Sequence, residues 1–141
     1  MVQLEQVKMS NIVVDTSVLI AVITNEPSKE QLIEITQGFN LIAPQSVHWE
    51  IGNAFSAMLK RKRITLNDSL QAIKIYWTIP MRLVEVEIED TIELADAFNI
   101  YAYDAYLLRC ALKYNAPLLT LDKGLENVAR RANIVVMEVS Q

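Results

Sequence analysis

Four acidic residues of this 141-residue chain stand where a carboxylate is hard to accommodate. Asp15 follows the apolar run Ile12, Val13 and Val14 in NIVVDTSVLI, at the mouth of a buried strand. Asp122 repeats that placement in APLLTLDKGL, with the hydroxyl of Thr120 nearby. Glu50, in PQSVHWEIGNAFSAMLKRKR, lies on the apolar stripe that helical spacing makes of Val47, Ile51, Ala54, Phe55 and Met58. Asp104, in IYAYDAYLLRCALKY, shares its helical face with Leu107, Leu108 and Ala111. A carboxylate in such surroundings is costly unless hydrogen-bonded, paired or bound to a cation. Ordinary readings exist: Asp15 and Asp122 as caps between strand and helix, Asp104 as a first-turn complement to the helix dipole. Brought together, however, four carboxylates would repel one another without a cation between them. An oxygen-rich acidic site suits Mg2+ or Mn2+, which can activate water and offset the charge that develops in phosphodiester cleavage.

The other acids are unexceptional. Glu85, Glu87, Glu89 and Asp90 read as a solvated strand end followed by a favourably charged helix start. Asn53, three residues after Glu50 on the same side of its helix, could hold the Glu50 carboxylate by a hydrogen bond. Lys60, Arg61, Lys62 and Arg63 end that helix, either as a solvated terminus or as phosphate contacts for RNA. His48 and Trp49 precede Glu50, and Tyr101, Tyr103 and Tyr106 surround Asp104. The His reads as structural or exposed. The tyrosines read as packing or interface residues, with stacking on a base as the alternative.

The elements that must position these residues alternate. Short apolar runs at 12–14, 39–43, 83–86, 117–121 and 134–137 predict five strands. Amphipathic stretches at 17–24, 29–36, 45–61, 66–77, 89–98, 102–114 and 123–131 predict helices between them. Continuous apolar strands separated by helices imply an α/β fold with a parallel sheet covered on both faces. Ligands of such sheets bind beyond the carboxyl ends of the strands, where Asp15 falls. One domain is the expectation from the length, and 52% apolar residues supply its core. The single Cys110 excludes an internal disulfide and a cysteine-rich zinc site, and the single His48 leaves little for His-based catalysis. A net charge of −4 opposes a large phosphate-tracking surface but not an acidic metal site. No apolar run is long enough for a membrane span and the start lacks a signal-peptide core, so the expected compartment is the cytoplasm.

VVDTSVLIA, EIGNAF, AYDAYLL and LLTLDKGL, in that order and spacing, resemble the PIN-domain ribonucleases, and within them the VapC-type toxins of VapB–VapC toxin–antitoxin pairs. The resemblance spans nearly all of residues 11–141 and leaves 1–10 as an N-terminal extension. It implies a three-layer α/β/α sandwich with a central five-stranded parallel sheet, often dimeric. It implies that Asp15, Glu50 and Asp104 coordinate a divalent metal, Mg2+ or Mn2+, with Asp122 as the fourth acid. Ser17 and Thr120 match polar positions that line such sites, and Asn53 a companion of the second acid. The implied chemistry is in-line attack of activated water on an RNA phosphodiester, with no side-chain nucleophile. The resemblance also implies a VapB-like antitoxin clamped on the apolar helix surface around 18–23 and 33–35.

Two rival classes fit less well. A receiver-like signalling domain needs an Asp ending the third strand and a Lys after the fifth, but Glu85 and no Lys stand there. A phosphatase with an Asp-x-Asp motif fails because Thr16 and Ser17 follow Asp15. A non-catalytic PIN-like module that binds RNA or protein is the remaining alternative, and the presence of all four acids opposes it.

Overall fold

Ile12, Val13 and Val14 are shut off from solvent, as are Ile42 and Ala43 and, on a third strand, Leu118 and Leu119. Strands without a solvated face must be covered on both sides, which is the condition of a parallel sheet. The computed structural model describes residues 9–140 and shows that sheet. Its strands are β1 (Ser10–Val14), β2 (Phe39–Pro44), β3 (Met81–Val84) and β4 (Leu118–Leu119), in the order β3-β2-β1-β4, all pairs parallel. The helices are α1 (Thr16–Ile23), α2 (Lys29–Thr36), α3 (Ser46–Lys60), α4 (Leu66–Tyr76), α5 (Ile88–Phe98), α6 (Ala102–Lys113) and α7 (Lys123–Arg131).

The strand order reverses once. The chain steps outward from β1 to β2 to β3, then returns to the far side of β1 for β4. Right-handed crossovers put the helices of the first two steps on one face and those of the return on the other. Accordingly α1 packs on α2, α3 and α4, while α5 packs on α6, which lies against β1 and β2. This is the α/β/α sandwich expected from the sequence. Asparagine ends several helices where glycine is commoner: Asn25, Asn99, Asn115 and Asn133 follow α1, α5, α6 and α7 with left-handed backbones.

The sheet has four strands, not the five expected. The segment 134–137 reaches it only as an isolated parallel bridge between Leu118 and Val136, with Leu118 N–H donating to Val135 O and Met137 N–H to Leu118 O, both at 2.9 Å. The reason lies in β4, expected over 117–121 but two residues long. Pro117 has no N–H to offer, and at Thr120 the chain already turns to cap α7. β3 is displaced towards Met81 from the expected 83–86 because its partner β2 ends at Pro44, opposite Val84. At the other end, Ser10 already pairs with Phe39 in β1, and Asn40 Nδ2 donates to Met9 O at 3.2 Å. The rest of the N-terminal extension, 1–8, lies outside the described residues.

The core joins both helical layers through the sheet. Leu108 of α6 is fully buried against it. Leu108→Ala is expected to cost about 2–5 kcal/mol, the range for deleting a buried leucine side chain. Urea unfolding should show a lower midpoint at an unchanged slope.

Candidate functional site

The site forms where the strand order reverses, between the carboxyl ends of β1 and β4. Asp15, the residue after β1, is 4% exposed. Its Oδ1 accepts from Ser17 Oγ at 2.7 Å and from Val18 N–H at 3.2 Å. Its Oδ2 accepts from Thr120 Oγ1 at 2.6 Å, a bond that crosses from β4 to β1. Thr120 Oγ1 in turn accepts from Asp122 N–H, and Ser17 Oγ from Leu121 N–H, both at 3.0 Å. Asp122 Oδ1 caps α7 through Leu125 N–H at 3.2 Å. Both strand-end acids therefore do cap helices, and they do so at one shared locus.

Glu50 arrives from the second turn of α3 and Asp104 from the first turn of α6, one from each helical layer. Thr16, the first residue of α1, donates its hydroxyl to Glu50 Oε2. Asp104 is the acidic residue of the first turn of α6, whose N-cap Tyr101 makes no side-chain cap bond among the described residues. The four acids feel one another's charge. Burial, opposed by the bonds from Thr120, Ser17 and Val18, pushes the Asp15 carboxyl above its ordinary value, with Asp122 adding to the effect. Burial likewise raises Glu50, with the charges of Asp15 and Asp104 acting in the same direction. Asp104 is raised by burial and by Asp122. Charge interactions run from Asp122 to Asp15 and Asp104, and from both of these to Glu50, so the four lie within electrostatic reach of one another.

Among the described residues, no three His, Cys, Asp or Glu side chains form a ready-made cation cage. Yet Glu50 Oε1 is buried without any hydrogen-bond partner, facing the fields of Asp15 and Asp104. An orphaned carboxylate oxygen among like charges is satisfied either by a proton, which burial favours, or by a divalent cation, and the donors are all oxygens, as Mg2+ and Mn2+ prefer.

The supporting residues divide. Ser17 and Thr120 touch Asp15 directly. Asn53 does not hold Glu50: it is exposed, and Thr16 makes the bond instead. Thr16 reads in the sequence only as the start of a helix, and its partner lies 34 residues away. Lys60, Arg61, Lys62 and Arg63 are exposed and make no ion pair among the described residues. Lys60 is ten residues beyond Glu50, about 15 Å down the α3 axis, so this cluster is remote from the acids. Arg109 and Lys113 are engaged by Glu87 and Asp90 at the start of α5, and Lys123 and Arg130 by Glu126. The apolar surface expected on α1 is largely core, since Val18, Leu19, Ala21 and Ile23 are buried. What stays open is a groove of about 460 Å³ between α1, α2 and α4, lined by Val18, Val22, Leu32, Ile33, Ile75 and Ile79 among others.

The chain belongs to the PIN domain family, whose sequence pattern matches residues 12–131. No curated protein matches it in sequence. Solved structures match it in fold. PAE2754 from Pyrobaculum aerophilum is 18% identical at a TM-score of 0.65, over 89% of this chain and 90% of its own. VapBC2 from Rickettsia felis, bound to a DNA fragment from its promoter, is 15% identical at 0.67, over 92% and 99%. VapC20 from Mycobacterium tuberculosis, a toxin that cleaves the sarcin-ricin loop, is 14% identical at 0.63, over 90% and 98%.

Two outcomes follow from the geometry. Thr120→Val keeps the shape but strands Asp15 Oδ2 and Asp122 N–H, and should cost about 1–3 kcal/mol in denaturant unfolding, with Thr120→Ser costing less. The second concerns pH. Asp15, Glu50 and Asp104 hold protons more tightly folded than unfolded. The stability they contribute is therefore fully present below the ordinary carboxylate range and is lost as pH rises through the raised values. Without divalent cation, Glu50→Gln should melt higher than the native chain near pH 7 and flatten its fall in melting temperature with rising pH. An unchanged pH dependence would contradict the assignment.

Proposed function

We propose that this chain is a divalent-metal-dependent endoribonuclease, the toxin of a VapB–VapC type pair. The orphaned Oε1 of Glu50, buried between the charges of Asp15 and Asp104, carries the reading. Asp15, Glu50, Asp104 and Asp122 would hold Mg2+ or Mn2+, which supplies an activated water and offsets charge on the cleaved phosphodiester. Asp15 is fixed for this by Thr120, Ser17 and Val18, so it offers its remaining lone pairs without reorganising. Thr16 does the same for Glu50. Asp122, the most exposed of the four, would complete the metal site or orient the water at its rim. Cys110 takes no part: it is buried, and its thiol is pushed up to about 12.

The fold likeness to VapBC2 and VapC20 supports RNA as substrate and a VapB-like antitoxin as partner. The apolar groove between α1, α2 and α4 is the surface we assign to that antitoxin. Exposed apolar side chains on α4 and α5, Leu66 and Leu70 with Ile88 and Ile92, offer surface for a second copy of the chain. Lys60, Arg61, Lys62 and Arg63 would meet phosphates of the RNA at a distance from the cut. No helix among the described residues is long and apolar enough to cross a membrane, and we place the protein in the cytoplasm.

Asp15→Asn and Asp104→Asn should each lower Mg2+- or Mn2+-dependent cleavage of single-stranded RNA by at least a hundredfold while the far-ultraviolet circular dichroism stays native. Calorimetric titration with Mn2+ should show binding to the native chain that both variants weaken. Undiminished cleavage in both variants would sink the site; no Mn2+ binding would point instead to a module that binds without cutting.

A further inference from the structure

Beside the four acids lies a pocket that the cleavage chemistry leaves unused. It measures about 470 Å³ and sits over the ends of β2 and β3, lined by Gln45, Ser46, Trp49, Glu85, Tyr103 and Tyr106 together with Pro44, Val84 and Val86. Its position is fixed by the chain itself. Trp49 immediately precedes Glu50 and Tyr103 immediately precedes Asp104, so one aromatic residue flanks each of two acids. Ser46 stands four residues before Glu50 on α3, about 6 Å along the axis and on nearly the same side. The acid site occupies the carboxyl edge of the sheet at β4 and β1, and the pocket continues that edge over β2 and β3.

Its chemistry is aromatic and polar rather than cationic. Trp49 is 69% exposed and Tyr103 52%, a large apolar area for two neighbouring rings to present to water. Trp49 is also held in place. His48 meets it edge-on at 5.0 Å between ring centroids, and His48 Nδ1 is hydrogen-bonded to the hydroxyl of buried Tyr76 at 3.2 Å. The hydroxyl of Ser46 is buried with no partner. The only charged side chain in the lining is Glu85, which would repel a phosphate. The lining therefore favours a group that is flat and uncharged, with polar edges. A nucleobase meets each condition, since every base has a face for stacking and an edge for Gln45 and Ser46.

We propose that this pocket seats one unpaired nucleobase of the RNA strand, next to the phosphodiester held at the acids. The proposal rests on the ribonuclease reading, and its test separates the two. In a Trp77→Phe background Trp49 is the sole tryptophan of the chain. A short single-stranded oligoribonucleotide, added with Ca2+ in place of Mg2+ so that the acids hold a cation without rapid cleavage, should quench its emission. The same oligomer made abasic at the position beside the cut should bind about tenfold or more weakly and quench little, as should a duplex of that sequence. Tyr103→Ala should weaken the intact oligomer and leave the abasic one unaffected, with a native circular dichroism spectrum. Equal binding and quenching by intact and abasic strands, or no quenching by either, overturns the pocket. Mg2+-dependent cleavage is measured alongside on the same oligomers. Cleavage indifferent to the missing base sinks the pocket and spares the ribonuclease; base-dependent quenching without cleavage does the reverse.

Discussion

The bond from Thr120 Oγ1 to Asp15 Oδ2 joins the two strands between which the site opens, and much else hangs from it. Asp15 can be buried because its oxygens meet two hydroxyls and a backbone N–H. The same hydroxyl of Thr120 accepts from Asp122 N–H, which sets the start of α7. The same carboxylate of Asp15 caps α1 through Val18. One bond thus aligns β1 with β4, begins two helices and fixes two acids. The cost is the repulsion among the carboxylates, which burial increases rather than relieves.

The topology explains why such a cluster arises in this place. Where the strand order reverses, the two helical layers part and leave the sheet's carboxyl edge open. Glu50 enters from one layer and Asp104 from the other, so neither layer alone could build the cluster. The pocket of Trp49 and Tyr103 inherits this arrangement, because each ring is one residue from an acid that the fold has already delivered.

The elements that the sequence announced were those set by local chemistry. Ile12 to Val14 followed by Asp15, and Leu118 and Leu119 followed by Asp122, are apolar runs ended by a cap, and both can be read from neighbouring residues. Glu50 was visible because it breaks an apolar stripe. What could not be read depended on partners far along the chain. Thr16 looks like any helix start until Glu50 comes to lie beside it. Asn53 had the right spacing for Glu50, but the carboxylate turns toward α1 and the amide toward solvent. The expected fifth strand has suitable residues in Ile134 to Met137, yet its formation depends on the length of β4. That length is cut short because Thr120 is committed to Asp15 and Asp122, a choice that no local pattern records.

α1 belongs to two surfaces at once. Buried Val18 and half-buried Val22 line the apolar groove, while the first residue of the helix, Thr16, holds Glu50. Eight helical residues span about 12 Å, too short and too regularly bonded to flex between its ends. It therefore behaves as a rigid lever. The groove and the acids therefore meet on one short helix.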